Sequence, residues 1–218
     1  MRSREKVLGV ITLVSDESRE EFSDYDLFIL STFADYTAIA VEVSRFKQKL
    51  KDLSVMDGES GAYNSRYLFQ TLEKEIKRAK RYQSTLSVIF VDLDFFKFVN
   101  DGHGHLAGSN LLSEVAEVLQ ASLRDVDIVA RYEADEFVLV LPETGKKEAA
   151  LTAQRVREAI NERRFRAGLN LSLTITASFG VASYPEDGQT VIDLVRAADR
   201  AMFQVKESTR NGIALAGA

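Results

Sequence analysis

The feature that most constrains this fold is an almost continuous apolar run, Leu86–Val91, that ends in two carboxylates. Such a run is typical of a central strand that is covered by helices on both faces. Asp92 and Asp94 follow it and share one face while the strand continues. A second acidic pair, Asp135 and Glu136, stands beside another apolar run about forty residues later. Carboxylates at strand ends are typical of sites where a hard cation meets phosphates.

Helical and strand periodicities alternate along the chain and predict an α/β fold with one sheet flanked by helices. A long helix is expected from Tyr25, after the capping pair Ser23-Asp24, to Leu53. The other expected helices cover residues 65–82, 108–123, 146–163 and 190–207, and the expected strands cover 6–14, 86–92, 127–132, 136–141, 171–182 and 212–216.

Composition narrows the classes of function. The 218 residues, 45% apolar and 28% charged, suit one globular domain and part of another, and the net charge of −5 disfavours nucleic-acid binding. The chain has no cysteine and two histidines, His103 and His105, so any metal would be a hard cation, magnesium first. No apolar run approaches the ~18–20 residues of a membrane helix. We therefore expect a cytoplasmic chain without a membrane span.

Several segments carry a resemblance to the GGDEF family, the diguanylate-cyclase domains of bacterial second-messenger signalling. The resemblance covers roughly Asp57 to Ile213 and implies a nucleotide-cyclase-type, ferredoxin-like core with a mainly antiparallel central sheet. The signature is degenerate, because Glu133 and Ala134 stand where the family has two glycines. The matching segments are Asp57-Gly58-Glu59-Ser60-Gly61-Ala62-Tyr63-Asn64-Ser65-Arg66, Asp92–Ser109, Arg131–Phe137, and Ala198–Phe203 followed by Lys206 and Arg210-Asn211.

The N-terminal part resembles the C-terminal end of a GAF sensor domain, whose last helix runs onward as a connector. We therefore expect a GAF-like fragment at residues 1–45, a helical connector at 46–56 and a GGDEF-type domain at 57–218. The alternative is an N-terminal hairpin and helix that pack on the main domain.

The resemblance implies a Mg²⁺ (or Mn²⁺) site and a triphosphate site. The cation would be held by Asp92, the backbone carbonyl of Leu93, Asp135 and Glu136. Asp135, Glu136 and Lys206 would be catalytic, and the carboxylates would help to deprotonate an attacking 3′-hydroxyl. The phosphates would be bound by the backbone amides of Phe95, Phe96 and Lys97. Asn100 and Ser109 would contact the base. Arg210 is expected to share a helix face with Lys206 and to bind the β- and γ-phosphates.

One departure from the family pattern concerns the base. Ser109 stands where the family has an aspartate that reads guanine. A hydroxyl is neutral and both donates and accepts hydrogen bonds, so guanine preference should fall by roughly 1.5–3 kcal/mol and adenine should be easier to accept. Some family members with serine here make mixed guanine–adenine dinucleotides. Drift in an inactive site is the alternative.

The degenerate signature predicts weak turnover. A two-residue hairpin turn needs positive φ at both central residues, so Glu133 and Ala134 would each cost ~1–2 kcal/mol there. Glu133 also adds a negative charge near a triphosphate. We therefore expect impaired turnover.

The sequence Arg124-Asp125-Val126-Asp127 has the family's Arg-x-x-Asp pattern, where arginine and aspartate hold the cyclic product at an inhibitory site. A surface ion pair is the alternative.

The leading interpretation is a domain that binds GTP with magnesium, with ATP as the alternative nucleotide. As a homodimer, it would condense two triphosphates to c-di-GMP, or to a mixed GMP–AMP dinucleotide if it accepts ATP as well. The alternatives are an inactive receptor of GTP or c-di-GMP acting through Arg124 and Asp127, and a dimerising adaptor without a ligand.

Overall fold

The structure is a computed structural model that describes residues 2–3, 6–14, 22–168 and 171–217. It contains two compact units, Met1–Ser54 and Val55–Ala218. In the first unit, β1 (Arg2–Ser3) pairs antiparallel with β2 (Lys6–Val7), and α1 covers Asp24–Leu53, which confirms the predicted long helix. The predicted strand over residues 6–14 is wrong beyond Val7. The apolar run continues there, but none of the described residues pairs with it as a strand.

One stretch of α1, Asp24–Lys47, is long and apolar enough to cross a membrane, with a mean hydropathy of 1.4. The same length and composition occur in core helices of proteins that lie outside membranes. The expectation of a chain without a membrane span therefore stays a prediction.

The second unit contains one six-stranded sheet with helices on both faces. Its strand order is β10-β9-β4-β6-β5-β3, and a separate two-stranded sheet is formed by β7 and β8. The elements of the unit are β3 (Tyr63–Asn64), α2 (Ser65–Tyr82), β4 (Leu86–Leu93), α3 (Phe96–His103), α4 (His105–Ala121), β5 (Ile128–Glu133), β6 (Glu136–Pro142), α5 (Lys146–Glu162), β7 (Phe165–Gly168), β8 (Leu171–Leu173), β9 (Ala177–Tyr184), α6 (Val191–Ser208) and β10 (Ile213–Leu215).

Strand β4 lies in the centre of the sheet, and all eight of its residues are buried. It pairs antiparallel with both β6 and β9, and only the edge strands β3 and β10 pair in parallel. Ile89 and Val91 pack with α4 and α5 on one face, whereas Val88 and Phe90 pack with α2 and α6 on the other. The mainly antiparallel, helix-flanked α/β core is therefore as the resemblance implied, and the apolar run predicted its central strand.

In the second unit, one predicted strand is broken and a short helix was missed. The strand expected over 171–182 is broken because residues 174–176 separate β8, which pairs with β7, from β9, which belongs to the six-stranded sheet. Thr176 instead bonds Asp94: its carbonyl accepts from the Asp94 amide at 2.8 Å and its hydroxyl donates to the carboxylate at 2.6 Å. Helix α3 was not predicted, since eight residues are too few for a clear helical period.

Candidate functional site

The predicted metal ligands meet at one end of the sheet. Asp92 on β4 lies directly opposite Glu136 on β6, so their side chains share a face. Asp135 stands in the turn before β6, and its carbonyl accepts from the Leu93 amide at 3.3 Å. Asp199, on α6, adds a fourth carboxyl that acts on Glu136 electrostatically. The register between two strands therefore brings together carboxyls that are far apart in sequence.

Electrostatics in this cluster favour neutralisation by a cation. Burial, together with the negative charges of Asp92, Asp199 and Asp135, raises the pKa of Glu136 to about 7. Burial also raises the pKa of Asp92 to about 6, although the Lys206 ammonium opposes this shift. Protonated carboxyls of this kind ionise readily when a positive charge arrives.

These residues fit a magnesium ion that arrives with phosphates. Asp92 Oδ1 is buried and receives no hydrogen bond of regular geometry, although the Lys206 ammonium is close enough for an ion pair. Among the described residues, no group of three or more acidic, histidine or cysteine side chains is arranged to hold a metal alone. Phosphate-bound magnesium needs only one or two carboxylates, since substrate oxygens and water complete its shell. Asp92 and Glu136 supply that number of carboxylates.

The segment that follows β4 turns sharply to begin a helix. Phe95 has a left-handed backbone (φ 61°), and α3 starts at Phe96. The first amides of a helix lack intrahelical acceptors and attract anions. The amides of Phe96 and Lys97 occupy that position, as the phosphate assignment requires.

Asp94 anchors this turn. Its buried carboxylate accepts from the hydroxyls of Thr176 (2.6 Å) and Ser178 (2.8 Å), and from the backbone amide of Asn211 at 3.0 Å. These bonds tie β4 to β9 and to the segment that follows α6. Sequence analysis missed this role, because the partners lie more than eighty residues away.

The expectation that Lys206 and Arg210 project together from one helix is wrong. Helix α6 ends at Ser208, and Arg210 follows it with a left-handed backbone (φ 52°). Lys206 points at Asp92, whereas the exposed guanidinium of Arg210 lies 4.8 Å from the ring centre of Phe95. The two cations therefore approach the Asp92–Phe95 turn separately.

The predicted base-reading residues lie where α3 and α4 meet. A Cβ atom added to Gly108 would stand 2.0 Å from Asn100 Oδ1, so the asparagine lies directly against that glycine. The neighbouring Ser109 hydroxyl is 3.4 Å from Glu59 Oε1, and the other oxygen of Glu59 is 2.6 Å from the Arg131 guanidinium. Sequence analysis singled out Asn100 and Ser109, but it assigned no role to Glu59.

The degenerate hairpin differs from its expected geometry. Ala134 and Asp135 form the turn, and Ala134 has a positive φ of 34°. Glu133 belongs to β5 and pairs with Glu136 across the hairpin, so the expected strain at Glu133 is wrong. Arg131 stabilises the turn, because its Nε donates a hydrogen bond to the Ala134 carbonyl at 2.8 Å. In this hairpin, the backbone strain therefore lies at Ala134, whereas Glu133 contributes a negative charge.

Arg124 and Asp127 lie in a different part of the unit. They form a two-point ion pair at 3.2 Å, and Asp127 also accepts from the Arg124 amide at 3.0 Å. The Asp127 carboxylate is buried, but 58% of the Arg124 side chain is exposed. Arg124 and Arg155, a residue that sequence analysis missed, line one cavity of about 690 Å³. Glu143 and Glu148 line the same cavity, so its lining carries charges of both signs, and the two guanidiniums are the groups that would meet an anion.

Comparison with known proteins decides the family. Residues 54–212 match the model of the diguanylate cyclase GGDEF domain, which is most of the chain. The chain belongs to the GGDEF family.

Relatives of known function span more than this chain. Diguanylate cyclase A of Treponema denticola is 30% identical over 219 aligned positions, which is 99% of this chain and 58% of that protein. The response regulator PleD of Caulobacter vibrioides is 34% identical over 163 residues, 74% of this chain and 36% of that protein. The chain thus covers less than two thirds of either relative.

Solved GGDEF structures share the fold. The GGDEF domain of YfiN from Pseudomonas aeruginosa has a TM-score of 0.71 at 30% identity and covers 74% of this chain and 94% of that one. The GGDEF domain of DgcB from Caulobacter crescentus, solved with c-di-GMP, has a TM-score of 0.70 at 26% identity, with 75% and 94% covered. The cyclase-like α/β fold predicted from the sequence is therefore confirmed.

Proposed function

We propose that this GGDEF domain binds GTP with Mg²⁺ and condenses two GTP molecules, held by two facing domains, into one c-di-GMP and two pyrophosphates. The observation that supports this most directly is the pairing of Asp92 with Glu136 across β4 and β6, beside the first turn of α3. That geometry supports a cation site next to a phosphate site. GGDEF diguanylate cyclases generally depend on Mg²⁺.

Each residue has a defined part in this reaction. Asp92, Glu136 and the Leu93 carbonyl would hold the ion, which when bound offsets the charge of the triphosphate. Asp135 and Glu136 would help to deprotonate the attacking 3′-hydroxyl. The Lys206 ammonium, which pairs with Asp92, would meet the phosphates.

Turnover should be weak. Glu133 is exposed, stands directly opposite Glu136 and raises its pKa through charge repulsion. The same charge repels a triphosphate. Strain at Ala134 would also weaken the turn that positions Asp135.

The proposal is tested by measuring GTP binding by calorimetry and product by mass spectrometry in the full chain. Binding should require Mg²⁺ or Mn²⁺, because the carboxylates repel the phosphates without it. Asp92→Ala should lose the metal-dependent binding and retain the melting temperature within a few degrees, whereas Asp101→Ala, an exposed carboxylate on α3, should change neither. Equal affinity in excess chelator would contradict the metal-site assignment.

A receptor of c-di-GMP is the second candidate, favoured by the cavity that Arg124 and Arg155 share. Each guanidinium can hold a phosphate or a guanine edge. Arg155→Ala should weaken c-di-GMP binding at least tenfold and leave GTP binding unchanged. Product binding that survives the loss of both arginines would contradict this candidate.

The remaining assignments extend the same proposal. Residues 1–45 would be the end of a GAF-like domain and 46–56 a connector that joins it to a cytoplasmic catalytic domain. A homodimer is required, because one site positions one nucleotide and the product contains two.

A further inference from the structure

We propose that Glu59 supplies the carboxylate that reads the guanine base, in place of the aspartate that is absent at Ser109. The inference deepens the proposed function and rests on it, because it names the residue that selects the substrate of that site. It predicts that the chain prefers GTP to ATP in spite of Ser109.

The first argument is position. Asn100, on α3, lies against Gly108, the residue that precedes Ser109 on α4. Glu59 reaches the same place from the loop before β3, where its Oε1 atom is 3.4 Å from the Ser109 hydroxyl. A carboxylate oxygen therefore stands next to the position from which the family's carboxylate is missing.

The second argument is orientation. Glu59 Oε2 is held by the Arg131 guanidinium at 2.6 Å, and the Arg131 side chain is itself only 12% exposed. The same guanidinium nitrogen bonds Asp57 at 2.9 Å, while Asp57 accepts from the amide and hydroxyl of Ser60 at 2.8 and 2.7 Å. The loop is thus fixed from several sides. Although the Glu59 side chain is 55% exposed, its bond to Arg131 gives it one preferred direction. Its other oxygen, Oε1, is turned toward Ser109.

The third argument is the chemistry of the base edges. Guanine presents a ring N–H and an exocyclic amine side by side, and both donate hydrogen bonds. Adenine presents an unprotonated ring nitrogen at the corresponding place, where its lone pair would face the carboxylate. Charge-assisted bonds to a carboxylate are about twice as strong as neutral ones, and an acceptor opposite an acceptor is unfavourable. Oε1 of Glu59, supported by the Ser109 hydroxyl, therefore favours guanine.

The competing explanation is that Glu59 only holds the loop to Arg131. A carboxylate with that role would support the binding of every nucleotide equally. The ratio of GTP to ATP affinity separates the two roles, because a general loss of loop order lowers both affinities and leaves their ratio unchanged.

The experiment measures GTP, ATP and inosine triphosphate binding in the presence of Mg²⁺, in the full chain and its variants, by calorimetry. Inosine triphosphate lacks the exocyclic amine and isolates that contact. In Glu59→Gln, which keeps the length and removes the charge, the GTP/ATP affinity ratio should fall at least tenfold, and GTP should lose most of its advantage over inosine triphosphate. Glu73→Gln, an exposed carboxylate on α2, is the matched control and should retain the parent ratios.

A second pair of variants tests whether Glu59 does the work of a guanine-reading carboxylate at position 109. Glu59→Leu should lose the guanine preference, and adding Ser109→Asp to it should restore the preference. A Glu59→Gln variant with the parent GTP/ATP ratio would overturn the inference and leave the proposed function intact. A parent chain that binds GTP no better than ATP would overturn the inference too, whereas a parent that binds no triphosphate would overturn the proposed function itself.

Discussion

The hairpin between β5 and β6 allows strain and charge to be tested separately. Ala134 has a φ of 34°, in the left-handed region that costs an L-residue about 1–2 kcal/mol. Glycine removes that cost but gains about 0.5–1 kcal/mol of unfolded-chain entropy. Ala134→Gly should therefore stabilise the domain by about 0.5–1 kcal/mol, which at this size corresponds to a rise of roughly 1–4 °C in melting temperature.

The matched control is Ala150→Gly, in the second turn of α5, where the backbone is an ordinary helix. There the same change of one methyl group should destabilise by about 0.5–1 kcal/mol, because it adds entropy without removing strain. Urea denaturation of the parent and both variants gives the two differences directly. Equal destabilisation by the two substitutions would refute the argument that the turn is strained.

Charge is tested by Glu133→Gln, which keeps the strand residue and removes its negative charge. We expect tighter GTP–Mg²⁺ binding and faster dinucleotide synthesis, because the repulsion of the phosphates falls. Stability should change little, because Glu133 is exposed. Glu133→Gly with Ala134→Gly should raise synthesis about tenfold or more, since ~1.4 kcal/mol of barrier is tenfold in rate. Robust synthesis by the unmodified chain would contradict the predicted impairment.

Three further predictions follow from the site and the fold. Without metal, the contribution of Glu136 to the free energy of unfolding should fall by about 2–3 kcal/mol as pH rises from 4.5 to about 7, because native Glu136 keeps a proton that the unfolded chain releases. Urea titrations measure this pH dependence, and Glu136→Gln should flatten it. The chain should dimerise partly through α1 (Asp24–Leu53), which light scattering with and without nucleotide measures, and a strict monomer would contradict the cyclase mechanism. Asp94→Asn should lower the free energy of unfolding by about 1–3 kcal/mol, whereas the exposed Asp101→Asn should leave it unchanged.

Sequence periodicity predicted the elements that bury a whole face. Helix α2 covers the residues expected for it, because its apolar residues recur with the helical period and Asn64 caps it by accepting from the Tyr67 amide. The apolar run at β4 predicted a central strand for the same reason. Elements shaped by distant partners were not predictable: the break before β9 depends on bonds to Asp94, and the separation of Arg210 from Lys206 depends on where α6 ends.

The same distinction separates the site residues that the sequence predicted from those that it missed. The two acidic pairs were visible because they adjoin apolar runs, and strand register then brought Asp92 opposite Glu136. Glu59 and Arg155 were missed, since a single charged residue in a loop or on a helix carries no periodic signal. Their neighbours become known only when the chain has folded.

The bonds of Asp94 have a consequence for the order in which the domain can fold. Its buried carboxylate on the central strand accepts hydrogen bonds from the hydroxyls of Thr176 and Ser178 and from the amide of Asn211. A buried charge without its partners is unfavourable. The turn after β4 therefore gains its anchor only when β9 and the segment that follows α6 have joined the sheet. The candidate site is thus among the last parts of the domain to become ordered, although its acidic strand lies at the centre of the sheet.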